Sequence, residues 1–235
     1  MGEKAHNETI LDIARLLPHT LKNFLTGLRL SIDELHDLLA EHNLQDHTDF
    51  QVSCSELGKG MERLNRLGGA LRELFVIEEL APEPFDLGEL VREQILPWFA
   101  EKHSDHFLEY TAGSAPATVL ADKRGTELCL QHVLSNAVAG SSGNATVSLS
   151  VAAEENGTSR VVVTVTDRGS GIPGHIQERL FQPFVSGWPN GVGMGLFVTK
   201  EFMHRTGGEV QIESEPGKGT TARLFFPADG DENLT

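Results

Sequence analysis

Between residues 161 and 171 the chain passes from a run of branched side chains, Val161-Val162-Val163-Thr164-Val165-Thr166, directly into Asp167-Arg168-Gly169-Ser170-Gly171. Such a run predicts a strand, because branched side chains pack well on a pleated surface and are stiff in a helix. The strand is buried and ends on a carboxylate. Glycines at alternate positions then let the backbone approach a ligand closely and adopt positive φ. The carboxylate can accept a hydrogen bond from an amine on that ligand. Alone, the segment reads as a tight turn led by an aspartate.

Other segments supply the context. Gly191-Val192-Gly193-Met194-Gly195-Leu196 opens a helix. Glycines there expose N–H groups and a positive dipole end to an anion such as phosphate. Gly217-Lys218-Gly219-Thr220-Thr221 forms a third loop before the last strand. Upstream, a helix over 123–139 carries His132 and Asn136, four apart on one face. An asparagine amide oxygen is a hard ligand suited to Mg²⁺.

The N-terminal part has a different texture. Ile10, Ile13, Leu17, Leu21, Phe24, Leu28, Ile32, Leu35 and Leu39 form one apolar stripe at helical spacing across 8–44. Residues 42–50 are polar and predict a turn. A second stripe follows in Val52, Leu57, Met61, Leu64, Leu67, Leu71, Leu74 and Ile77. One hairpin covers both stripes poorly, so two copies paired as a four-helix bundle are expected; the alternative is a monomeric hairpin resting on the second domain. Pro82 and Pro84 end the second helix and mark the boundary. Beyond it, helix is expected over 87–101, 123–139 and 192–206. Strands are expected over 107–111, 117–121, 145–153, 160–167, 209–214 and 220–226. Asn156-Gly157 fits a hairpin turn and Gly207-Gly208 a helix stop. The fold class is α+β: domains at 1–82 and 85–228, with a disordered tail at 229–235. The second domain should be a mixed sheet covered on one face by helices.

The order and spacing of the C-terminal segments resemble the nucleotide-binding domain of histidine kinases, members of the GHKL superfamily. Leu134-Ser135-Asn136-Ala137-Val138-Ala139-Gly140 looks like the N box, and 167–173 like the first glycine box. Residues 180–187, with Phe181 and Phe184, look like the F box. Residues 191–196 resemble the second glycine box and 217–226 the terminal one. The resemblance covers about 85–227. It implies a Bergerat-type α/β sandwich binding ATP and Mg²⁺, with Asn136 on the metal and Asp167 on the adenine amine. It also implies a flexible lid over the phosphates. The nucleotide contacts it implies are His132, Asn136, Asp167, Gly169, Gly171, Ile172, Phe181, Phe184, Gly191, Gly193, Gly195, Leu196 and Thr220.

The hairpin then gains a meaning. Leu17-Pro18-His19-Thr20-Leu21-Lys22-Asn23 is similar to the H box of such kinases, with His19 as phosphoacceptor. His19 lies off the apolar stripe. A neutral imidazole nitrogen is a competent nucleophile near pH 7. The resemblance implies attack on the γ-phosphoryl group, then transfer to an aspartate of a response regulator's receiver domain. It also implies that Asn23 orients a water for regulator dephosphorylation. There are departures. Thr20 stands where an acid is usual, Ala139 where a basic residue is common, and His132 where asparagine is. The lid reads Val185-Ser186-Gly187-Trp188 rather than carrying a Thr-Lys pair. Each missing charge removes transition-state stabilisation, on the order of 10²–10³ in rate, unless Arg168, Arg179 or Lys200 substitutes.

A formal net charge of -15 argues against nucleic acid and anionic lipid as partners. Cys54 and Cys129 lack metal-ligand spacing and predict two buried thiols in a reducing cytoplasm. No stretch is apolar enough for a membrane span, and no signal peptide opens the chain. No sensory module is legible in residues 1–8 themselves, and input is expected from an upstream sensor domain or a partner protein. Two other readings fit parts of the pattern. One is a phosphotransfer scaffold whose nucleotide domain is degenerate. The other is a serine kinase on the same ATP fold, against which the long hairpin argues.

Overall fold

The structure is a computed structural model. It describes residues 26–30, 32–33, 37, 48–76, 80–141, 143, 145–155, 159–188 and 191–228. The chain separates into two compact units, Met1–Phe75 and Val76–Thr235.

In the first unit, residues 26–30 are helical, and a long helix α1 (Thr48–Val76) follows. Its 29 residues span about 43 Å. Residues 48–50, expected within the turn over 42–50, are helical; the rest of that turn lies outside the described residues. Thr48 and Asp49 are residue types that favour a helix start, and their polarity marks that start rather than a loop. Val52, Leu57 and Leu64, all members of the second stripe, are 57%, 58% and 43% exposed. Leu28 and Leu30 of the first segment are also exposed. The four-helix bundle, and the positions His19, Thr20 and Asn23, lie outside what the described residues record.

The second unit begins with an element that the sequence reading missed. Strand β1 (Glu83–Asp86) contains Pro84 and pairs antiparallel with β3 (Thr118–Ala121) in a two-stranded sheet. Proline removes a ladder donor, so it is tolerated only at such an edge. The described part of α1 ends at Val76, before either proline. The expected helix over 87–101 is α2 (Leu87–Leu90), a π-helical stretch (Val91–Ile95) and α3 (Leu96–Lys102). Asp86 caps α2: its Oδ1 accepts from Glu89 N–H at 2.9 Å, and its Oδ2 accepts from Ala117 N–H at 3.0 Å. One carboxylate thus ties the helix start to the segment leading into β3.

The main sheet has five strands in the order β2-β4-β5-β7-β6. They are β2 (Phe107–Ala112), β4 (Thr146–Glu155), β5 (Ser159–Asp167), β6 (Glu209–Glu215) and β7 (Gly219–Pro227). The pair β2–β4 is parallel and the others are antiparallel. The link between β4 and β5 at 156–158 lies outside the described residues. Val147, Leu149, Val151, Val161, Val163, Val165, Leu224 and Phe226 are buried, and they alternate with Ser148, Thr164, Thr166 and Arg223 on the opposite face. Two helices cover the buried face. They are α4 (Lys123–Gly140), capped by Asp122 on Gly125 N–H at 2.8 Å, and α6 (Gly195–Arg205). The helix stop is where it was expected: Gly207 takes φ 71°, and Gly208 N–H bonds Met203 carbonyl at 2.7 Å. A short helix α5 (Gly174–Gln177) between β5 and the lid segment was not foreseen. Cys129 is a fully buried thiol; the Cys54 side chain lies outside the described residues.

Candidate functional site

The central strand β5 carries its carboxylate at its C-terminal end. Asp167 is only 6% exposed. Its Oδ1 accepts from Gly169 N–H at 2.8 Å. Burial pushes its carboxyl up, and backbone N–H groups of Gly169 and Thr220 offset that only in part. A buried carboxylate held this way keeps acceptor capacity for an incoming N–H donor, which is what recognition of an amine requires.

Two segments close around it. The C-terminus of α4 arrives from one side: Gly140 carbonyl accepts from Ser170 N–H at 2.8 Å, and a Cβ on Gly169 would overlap that carbonyl. The turn between β6 and β7 arrives from another, with Gly217 N–H on Ser170 carbonyl at 2.7 Å. Gly171, at φ 65°, lies so close to Glu215 that a Cβ would overlap its carbonyl. No other residue type meets both demands.

Ser214 was missed by sequence reasoning, and it holds this arrangement together. Its hydroxyl accepts from Ile172 N–H at 2.8 Å, donates to Gly219 carbonyl at 3.1 Å and lies 2.9 Å from Thr220 Oγ1. Gln177 Nε2 adds bonds to the carbonyls of Ile172, at 2.7 Å, and Ser214, at 3.1 Å. A serine within Glu-Ser-Glu carries no local signal; only the pairing of β6 with β7 reveals it.

The second glycine segment is joined to α4 and to the lid. A Cβ on Gly195 would stand 2.9 Å from His132 Nδ1, so the N-terminus of α6 lies directly against the face of α4 that bears His132. Asn136 follows one turn on and is exposed. Gly193, at φ 73°, packs on Val185 backbone, and Gly191 packs on Ser186. Leu196 and Phe181 are half-buried, and Lys200 Nζ stands 5.2 Å from the Phe181 ring centre. Phe184 turns the chain at φ 65°, the one positive φ outside glycine among the described residues. Of the expected basic substitutes, Arg168 is exposed and Arg179 Nε bonds Gln182 at 2.9 Å. The structure thus brings Asp167, Gly169, Gly171, Ile172 and Thr220 together, and sets Gly191, Gly193 and Gly195 against the lid segment and His132. Among the described residues no cluster of three His, Cys, Asp or Glu side chains could hold a metal by itself. Asn136, exposed on α4, fits a metal carried largely by a ligand's own oxygens.

Comparison with known proteins agrees with this geometry. Residues 121–230 match the family of histidine kinase-, DNA gyrase B- and HSP90-like ATPases. The sensor histidine kinase ZraS of Escherichia coli K12 is 30% identical over 172 residues, 73% of this chain and 36% of that protein. The Klebsiella oxytoca ZraS is 28% identical over 232 residues, 97% of this chain and 49% of that protein. The chain therefore spans less than half the length of these relatives. Among solved structures, the mycobacterial sensor histidine kinase MprB superposes with a TM-score of 0.55 at 25% identity, covering 63% of this chain and 97% of that one. The Acinetobacter baumannii histidine kinase AdeS, at 22% identity and a TM-score of 0.57 over 90% of this chain and 96% of that one, shares the fold.

Proposed function

Since the chain belongs to the GHKL sensor histidine kinases, we propose that it is an ATP-dependent protein-histidine kinase that phosphorylates its own His19. The phosphoryl group then passes to an aspartate on a response-regulator receiver domain. The observation that carries this reading is the convergence of α4, the 167–172 loop and the β6–β7 turn around one buried carboxylate, with the α6 N-terminus packed on the same helix α4 at His132. In it, Asp167 accepts the adenine amine. The loops at 169–172 and 217–220 frame the base, and the N-terminus of α6 presents N–H groups and a positive dipole end to the phosphates.

Asn136 would hold Mg²⁺, which neutralises charge on the triphosphate. His132 packs beneath Gly195 and positions the start of α6 against α4. His19 supplies the nucleophile from the N-terminal unit, with Thr20 and Asn23 beside it. Catalysis is then mostly positioning and charge neutralisation. The exposed stripe Val52, Leu57 and Leu64 supports a homodimer that shares a helical bundle. The matched sensor kinases support input from an upstream sensor domain or partner, and a place on the cytoplasmic side, where ATP is available. No helix among the described residues is long and apolar enough to cross a membrane.

The experiment is incubation with γ-labelled ATP. Label should enter the wild type, be absent from His19→Ala, and be lost in acid, as phosphohistidine is. Acid-stable label would mean a hydroxyl acceptor and sink this reading. Label that persists in His19→Ala would move the acceptor elsewhere.

A further inference from the structure

The lid segment ends in a ring that the proposed mechanism does not use. Trp188 sits on a turn that is tied at both its backbone groups. Its N–H donates to Ser186 Oγ at 3.1 Å, and its carbonyl accepts from Ser186 Oγ at 3.0 Å and from Gly191 N–H at 3.0 Å. The packing of Gly191 on Ser186, and of Gly193 on Val185, presses this turn against the second glycine segment. The direction of the ring can be read from Gly140, the last residue of α4. A Cβ built there would lie 3.8 Å from Trp188 Cζ2 and 3.8 Å from Asp167 Oδ1. The indole edge and the buried carboxylate therefore both border the Cβ position of Gly140, which glycine leaves empty.

Resting on the nucleotide reading above, we infer that Trp188 is the aromatic wall of the base site, stacking on the adenine whose amine Asp167 accepts. The chemistry is complementary. The carboxylate reads one edge of a purine, and an adjacent indole offers a large polarizable face for the ring. Because the turn is already tied through its backbone, only the ring's own side-chain torsions remain to be ordered when the base arrives. The same placement makes Trp188 an internal reporter, because the chain's other indole, Trp98, packs against Phe99 and His103 next to β2.

The test uses the full chain carrying Trp98→Phe, which leaves Trp188 as the sole indole. ATP and ADP should change its fluorescence saturably, and inorganic tripolyphosphate should not, since it has no base. Calorimetry should show Trp188→Ala weakening ATP and ADP alike by on the order of tenfold, with Trp188→Phe retaining most of the affinity. Saturable ATP binding with silent fluorescence and unchanged affinity in Trp188→Ala would overturn this inference while leaving the nucleotide reading intact. A signal with tripolyphosphate equal to that with ATP would overturn it too, by showing that the ring follows phosphate. No calorimetric binding of ATP to the wild type would overturn the nucleotide reading and this inference with it.

Discussion

Asp167 carries a cost that its position explains. Burial raises its carboxyl above the ordinary range, with backbone hydrogen bonds offsetting part of the rise. A carboxyl whose folded pKa is raised binds its proton more tightly in the native state. Stability then increases as pH falls through the folded value toward the unfolded one, and at neutral pH the ionised form is destabilising. Asp167→Asn should therefore melt higher than the wild type at pH 7, with the gap narrowing on acidification. It should also weaken ATP and ADP by about 10- to 100-fold, because a bond to a charged acceptor is lost. Thermal melts at several pH values and calorimetry check the two halves. A residue that lowers stability and supports binding is what a functional site predicts.

At Thr20 a charge is missing rather than buried. A carboxylate beside His19 would fix the imidazole tautomer and stabilise the charge that develops as the other nitrogen attacks. Thr20→Glu should speed single-turnover labelling of His19 by about tenfold at saturating MgATP and leave ATP affinity unchanged. A rate equal to the wild type would show that imidazole activation is not limiting.

At the scale of elements, two contacts decide whether the domain holds its site. Helices α4 and α6 approach closely because α4 has glycine where α6 has a ring: a Cβ on Gly125 would overlap the fully buried Phe202. Gly125→Ala improves helix propensity yet should destabilise by about 1–3 kcal/mol through overpacking, visible as a lower urea midpoint. The second contact is Asp86. Burial pulls its carboxyl upward, but N–H groups of Ala117, Glu89 and Gly88, with the Arg92 guanidinium, outweigh it and hold the group below the ordinary carboxylate range. A depressed folded pKa contributes stability above the unfolded value and loses it as pH falls through the folded one. Asp86→Ala should cost about 2 kcal/mol at pH 7, through a lost cap and an orphaned Ala117 N–H, and less in acid. Denaturant titrations at neutral and acid pH measure both.

These elements also show what was legible in the chain. Val161–Asp167, the helix at 123–140 and the glycine stop after Arg205 declare themselves, because pattern and residue type are local signals. Strand β1 does not: it is four residues long, contains a proline and exists only because β3 pairs with it. The π-helical stretch at Val91–Ile95 and the short helix α5 lack a local signature as well.

For the whole molecule, the exposed stripe bears on assembly. Val52, Leu57 and Leu64 of α1 are exposed although they belong to a stripe that repeats at core spacing. Burial of such a stripe against a second copy is worth about 25 cal/mol per Å² of apolar area, so it is a strong drive to pair. The full chain should sediment as a dimer at micromolar concentration, and a fragment starting at Val76 as a monomer. A monomeric full chain would show that the stripe is covered within one copy.

The sequence by itself determined the periodic elements, the order of the nucleotide boxes and the residue types that could serve them. Periodicity, branching and glycine placement act over a few residues, and they leave marks in the linear chain. Only the tertiary structure decided which of those residues share a site. It set Ser214 between Ile172 and Gly219, His132 beneath Gly195, and Trp188 beside Gly140 together with Asp167. Apart from Ser214 and Gly219, those neighbours are tens of residues apart along the chain. Their meeting depends on strand register and helix packing, which arise from burial of the whole sheet face and so leave no mark on any one segment.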